Sequence, residues 1–64
     1  MKINKGETYR AFIKRIRQTA NLSQMDFAVA TGLGESSVSA WENGKREPNF
    51  VSKRAIDKFA KTIK

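Results

Sequence analysis

Sixty-four residues with no cysteine and no histidine make a single domain. They exclude a disulfide framework and leave a zinc site only carboxylates, which are poor tetrahedral ligands. Thirteen basic against six acidic side chains give a net charge of +7, which points to a polyanionic partner.

The charge is uneven along the chain. Residues 1–20 carry six basic groups and one acid, residues 21–47 two basic groups and four acids, and residues 48–64 five basic groups and one acid. Both ends attract polyanions, so the middle has a more selective task. No apolar run approaches the ~20 residues of a membrane span, and the first twenty residues lack the apolar stretch of a signal peptide. The lack of cysteine fits a cytoplasmic protein.

In chain order, the first periodic segment places Tyr9, Phe12, Ile13, Ile16 and Ala20 on one stripe. That spacing predicts an amphipathic helix over 7–20. Asn4 with Glu7, or Thr8, is placed to cap its start, and Asn21 is a left-handed stop. Ser23 then stands as N-cap of a second helix over 24–31, with Asp26 positioned to close a capping box. Leu22 and Phe27 are spaced for the hydrophobic staple across it. Gly32 ends that helix. A third short helix over 35–42 carries Val38 and Trp41 on one face, and Asn43-Gly44 ends it. Pro48 blocks continuation. Ile56, Phe59, Ala60 and Ile63 define a last helix over 50–62, capped by Asn49 or by Ser52. No segment alternates with period two, so the fold expected is all-α, a compact four- to five-helix domain spanning 1–64.

Two short helices joined by a tight glycine turn between longer helices form a helix-turn-helix arrangement. The run Leu22-Ser23-Gln24, Phe27-Ala28, Gly32-Leu33, Val38-Ser39 and Trp41-Glu42-Asn43-Gly44-Lys45-Arg46-Glu47-Pro48 resembles the lambda-repressor and Cro (XRE-like) DNA-binding family. Ile13-Lys14-Arg15-Ile16-Arg17 is similar to that family's first-helix stretch, so the likeness spans about 13–63. Four positions depart from it. Thr31 stands where an aliphatic residue is usual and Asn21 where glycine is, while Met25 and Val29 occupy positions that are usually polar.

The resemblance implies sequence-specific binding of double-stranded DNA, with the start of the third helix in the major groove. Glu35, Ser36, Ser37 and Ala40 are then the base readers. Serine donates or accepts at any base, and the Ala40 methyl suits a thymine methyl. Glu35 accepts only, so its targets are the exocyclic amines of cytosine or adenine; the competing reading is a carboxylate favoured by the helix N-terminus. Gln24, Ser39, Asn43, Lys45 and Arg46 are expected on phosphates, and Gln24 alternatively braces a base reader. Arg10 and Lys14 lie in the positive flank and are candidates for further phosphate contacts. A carboxylate in the last turn of a helix is disfavoured by the macrodipole, so Glu42 calls for a partner, and the family pattern supplies Arg17.

The expected partner is an operator with two-fold symmetry, bound by a homodimer whose contact surface lies near Asn49–Phe50 and the last helix. Neither a cofactor nor a small-molecule ligand is implied. A stand-alone Cro-like repressor, prokaryotic or phage-encoded and nucleoid-associated, is the role expected first. The antitoxin of a toxin–antitoxin pair shares the same scaffold. A different class is a protein-interaction or membrane-surface module built on the basic last helix, although its apolar residues are needed for the core. Catalysis is not expected. Acid–base chemistry has no histidine to use, and Ser52 beside Lys53 in a basic helix is a sequence adjacency that says nothing about activation.

Overall fold

The computed structural model describes residues 1–63, so Lys64, the last residue of the expected domain, lies outside the described residues. Four helices follow in order: α1 Tyr9–Thr19, α2 Gln24–Thr31, α3 Glu35–Glu42 and α4 Phe50–Ala60. No strand occurs among the described residues.

Helix α1 starts at Tyr9 rather than at residue 7. Thr8 is extended (φ −79°, ψ 157°) and its hydroxyl accepts from the Ala11 amide. Asn4 and Glu7 bond to each other instead of to α1: the Glu7 amide donates to the Asn4 carbonyl, and the Asn4 amide donates to Glu7 Oε1. They close a separate turn around Gly6, and so do not cap the helix. At the other end Asn21 takes φ 58°, and the Asn21 and Leu22 amides donate back to the Gln18 and Arg17 carbonyls. That is the Schellman arrangement, which satisfies carbonyls the helix would otherwise leave open.

In α2 the Ser23 hydroxyl accepts from the Asp26 amide, the Asp26 carboxylate accepts from the Ser23 amide, and Gly32 closes the helix at φ 74°. Asn49 is the cap of α4, its side chain accepting from the Ser52 amide; Ser52 itself is inside the first turn and buried. The last helix stops at Ala60, two residues short of the expected 62. Thr62 and Ile63 donate to carbonyls only three residues back, which tightens the final turn. The Met1 ammonium donates to the Ala60 and Ile63 carbonyls at 2.8 and 2.6 Å, tying the start of the chain to the end of α4.

Each helix contributes its apolar stripe to one core. Phe12, Ile13 and Ile16 of α1, Phe27 and Ala28 of α2, Val38 and Trp41 of α3, and Ile56 and Ala60 of α4 are buried there. Leu22, Leu33 and Phe59 close its sides. Phe27 and Phe59 meet edge-to-face at 5.6 Å, a geometry favoured by the ring quadrupoles. Burial of a large apolar side chain contributes ~1.5–3 kcal/mol, so the seven large ones among these buried residues are the main source of stability for a domain this small. Helix α3 packs against α1 and α2, and α4 packs against α2.

Candidate nucleic-acid interface

The turn between α2 and α3 sets the geometry of the site. Gly32 in the left-handed conformation returns the chain, and the Leu33 amide bonds to the Ala28 carbonyl. Ala28 is buried in the core beneath this turn, where a small side chain lets helices approach closely. Thr31, at the position usually aliphatic, keeps its hydroxyl inside the helix by donating to the Phe27 carbonyl at 2.8 Å. The polar substitution therefore leaves no unsatisfied group.

Helix α3 begins at Glu35 with Gly34 before it, and no side chain caps that end. Glu35 and Ser36 are exposed, and Ser37, Ser39 and Ala40 are half-buried. The Glu35 carboxylate makes no hydrogen bond among the described residues and stands in the first turn of α3, where the helix N-terminus favours a negative charge. The Asn43 side-chain amide donates to Ser39 Oγ at 3.4 Å, linking two of the residues expected on phosphates. Lys45 and Arg46 follow on an exposed turn whose amides both point back to the Ala40 carbonyl. Gln24, half-buried, opens α2.

Behind this surface Arg17 and Glu42 are joined by two parallel bonds, Nε to Oε2 and Nη2 to Oε1, each 2.8 Å. Arg17 Nη1 also donates to the Leu22 carbonyl, so one guanidinium ties α1, the start of α2 and the end of α3 together. The Glu42 side chain is only 1% exposed. Burial pushes its carboxyl up, but the Arg17 hydrogen bonds, the nearby Gln24 side chain and the charges of Arg17 and Lys14 outweigh this. Its net position is below the usual carboxylate range, and it is an anion at neutral pH. Gln24 thus faces the buried pair as well as the surface. No buried polar side-chain atom among the described residues lacks a partner.

Two contacts of α1 are among those that escaped sequence reasoning. Arg10 Nε donates to the Glu42 carbonyl at 3.0 Å, across 32 residues and without any local signal. The Tyr9 hydroxyl lies 2.9 and 3.0 Å from the two Asp57 oxygens. Here a signal existed, since Asp57 is the lone acid of residues 48–64. Burial and then the Asp57 carboxylate push the Tyr9 phenol up to about 12, so it remains a hydrogen-bond donor that fixes the start of α1 to α4.

The comparison with known proteins agrees with this geometry. A family model described as "Helix-turn-helix" matches residues 13–59. No curated protein and no solved structure matches the chain significantly.

Proposed function

Because the chain belongs to the helix-turn-helix family, in its lambda-repressor-like branch, it is a sequence-specific DNA-binding regulator, and we propose that it acts as a Cro-like transcriptional repressor. In this reading Glu35, Ser36, Ser37 and Ala40 read bases, while Gln24, Ser39, Asn43, Lys45 and Arg46 hold phosphates. The observation that carries it is the start of α3: open, without a side-chain cap and furnished with short side chains. Short side chains let the helix backbone lie close to base edges in the major groove. The Arg17–Glu42 pair supports the same reading, because a reading helix discriminates bases only if its orientation is fixed.

The functional complex is a homodimer on a two-fold operator. One copy measures 26 × 25 × 19 Å, whereas half-sites on one face of DNA lie about 34 Å apart. Repression then needs only occupancy of a site that polymerase must use. Selection of bound duplexes from random DNA, followed by hydroxyl-radical footprinting, is the test. The expected result is a palindromic motif with two protected patches one helical turn apart. Failure to enrich any sequence would overturn the assignment of base readers, and a single unpaired half-site would overturn the dimer.

A further inference from the structure

Most arginine side chains of this fold are engaged. Arg15 is held by Glu7 and the Lys2 carbonyl beside the Phe12 ring, Arg17 by Glu42 and Leu22, and Arg54 lies over Phe50. Arg10 is held differently. Its Nε is fixed on the Glu42 carbonyl, while its two terminal nitrogens make no hydrogen bond among the described residues. The guanidinium also packs directly on Gly44, where a Cβ would lie 2.9 Å from Nη1 and 3.3 Å from Cζ. Arg10 is therefore a cation already oriented by backbone contacts, with donors still open.

Those donors border a cleft of about 310 Å³ between the start of α1 and the turn after α3. Buried Trp41 and Pro48 form its apolar part, Arg10 and Arg46 its cations, and the exposed Thr8 and Glu47 complete it. Resting on the DNA-binding reading above, we propose that this cleft seats one backbone phosphate of the bound duplex, chelated by Arg10 from α1 and Arg46 from the turn after α3. Two guanidinium groups outweigh the single Glu47 carboxylate, and arginine suits a phosphate because its planar fork offers two parallel donors. Scale fits as well. The eight residues of α3 span about 12 Å at 1.5 Å each, close to the ~12 Å width of the major groove. With Glu35–Ser37 at the base edges, the turn beyond Glu42 stands at the groove wall, where the backbone runs. Fixing Arg10 in advance reduces the side-chain ordering that the contact requires.

Ethylation interference on the selected operator tests this, comparing wild type with Arg10→Gln and Arg10→Lys. The expected result is one phosphate per half-site that blocks wild type when ethylated and no longer matters to Arg10→Gln. The salt slope should fall by about 0.9 in Arg10→Gln, which corresponds to about eightfold weaker binding at 0.1 M salt with convergence toward 1 M. Arg10→Lys keeps the charge and should retain most of the slope. Circular dichroism melts establish that each variant is folded, and the loss of one discrete phosphate is a readout that general destabilisation does not produce. An unchanged interference pattern in folded Arg10→Gln would overturn the proposal while leaving DNA binding intact; a wild-type protein that selects no duplex would remove the parent reading instead. Inorganic phosphate alone, titrated while following Trp41 fluorescence, should give no saturable change at concentrations used for the duplex experiments. Saturation would assign the cleft to a free anion and overturn the duplex assignment.

Discussion

Arg17 and Glu42 show how much one side chain decides here. Removing either partner leaves the other charge buried, a loss of about 3–5 kcal/mol for a fully buried pair. Arg17 is 20% exposed, which places Arg17→Ala at the lower end, ~3 kcal/mol. A double-mutant cycle with Glu42→Gln should show coupling, and additive effects would count against the pair as a unit. The pH dependence has a defined sign. Burial opposes the Glu42 anion, the Arg17 bonds favour it, and the folded pKa ends below the ordinary value. Its stabilisation is therefore complete above the unfolded value of about 4.3 and is lost as pH falls through the lower folded value. Glu7, held down at about 2 chiefly by its hydrogen bonds from Arg15, has the same sign. Urea midpoints measured from pH 6 to pH 2 should decline in wild type and decline less in Glu42→Gln. Glu35 raises a question of readout rather than stability. Glu35→Gln should shift base preference at one symmetric operator position, with ~1–3 kcal/mol redistributed between bases. An unaltered selected motif would leave Ser36, Ser37 and Ala40 as the readers.

At the scale of helices and turns, the ends are sharper than the interiors. Ser23→Ala removes one half of a capping box and should cost about 1 kcal/mol, as should Asn49→Ala. Two glycines separate backbone strain from crowding. Gly32 (φ 74°) has open space where a Cβ would go, whereas Gly44 (φ 75°) has the Arg10 guanidinium there. Alanine at Gly32 should cost about 1–2 kcal/mol from the left-handed conformation alone. At Gly44 the loss should be larger, and Arg10→Ala should remove the excess; equal losses in chemical denaturation would show that Arg10 simply moves aside. The turn after α3 also carries Lys45 and Arg46. Alanine at either should weaken all duplex sequences alike and flatten the salt slope by about 1.

Viewed whole, the molecule is a small basic body with exposed apolar residues at the start of α4. Phe50 is 72% and Val51 73% exposed, and both lie in the region expected at a dimer contact, around Asn49–Phe50 and the last helix. Substituting Val51 by glutamate should change monomer stability by no more than about 0.5 kcal/mol, yet lower operator affinity and abolish paired protection in footprints. Paired protection retained by Val51→Glu would move the contact elsewhere, with exposed Met25 and Val29 of α2 the next face to test. Affinity for any duplex should fall steeply with salt, since each neutralised phosphate adds about −0.9 to the log–log slope. Binding indifferent to salt would contradict the charge argument.

The sequence by itself determined the four helices, the glycine turn, the core stripe and the family, because these are written in short-range spacing. Ser23 with Asp26 is a capping box over three residues, Phe12-Ile13-Ile16 is a helical stripe, and Gly32 and Gly44 sit where a left-handed residue is needed. Helix ends were less legible, for a physical reason. Whether Asn4 and Glu7 cap α1 or close their own turn, and whether α4 runs past Ala60, depends on competition for the same backbone groups. Only the tertiary structure decided that competition, and it brings the Met1 ammonium to the end of α4. It alone also set Arg10 on the Glu42 carbonyl and Tyr9 on Asp57, contacts 32 and 48 residues apart in the chain. No local periodicity encodes such pairs, since they exist only once the packing of α3 against α1 and the closure of the core have fixed which surfaces face each other.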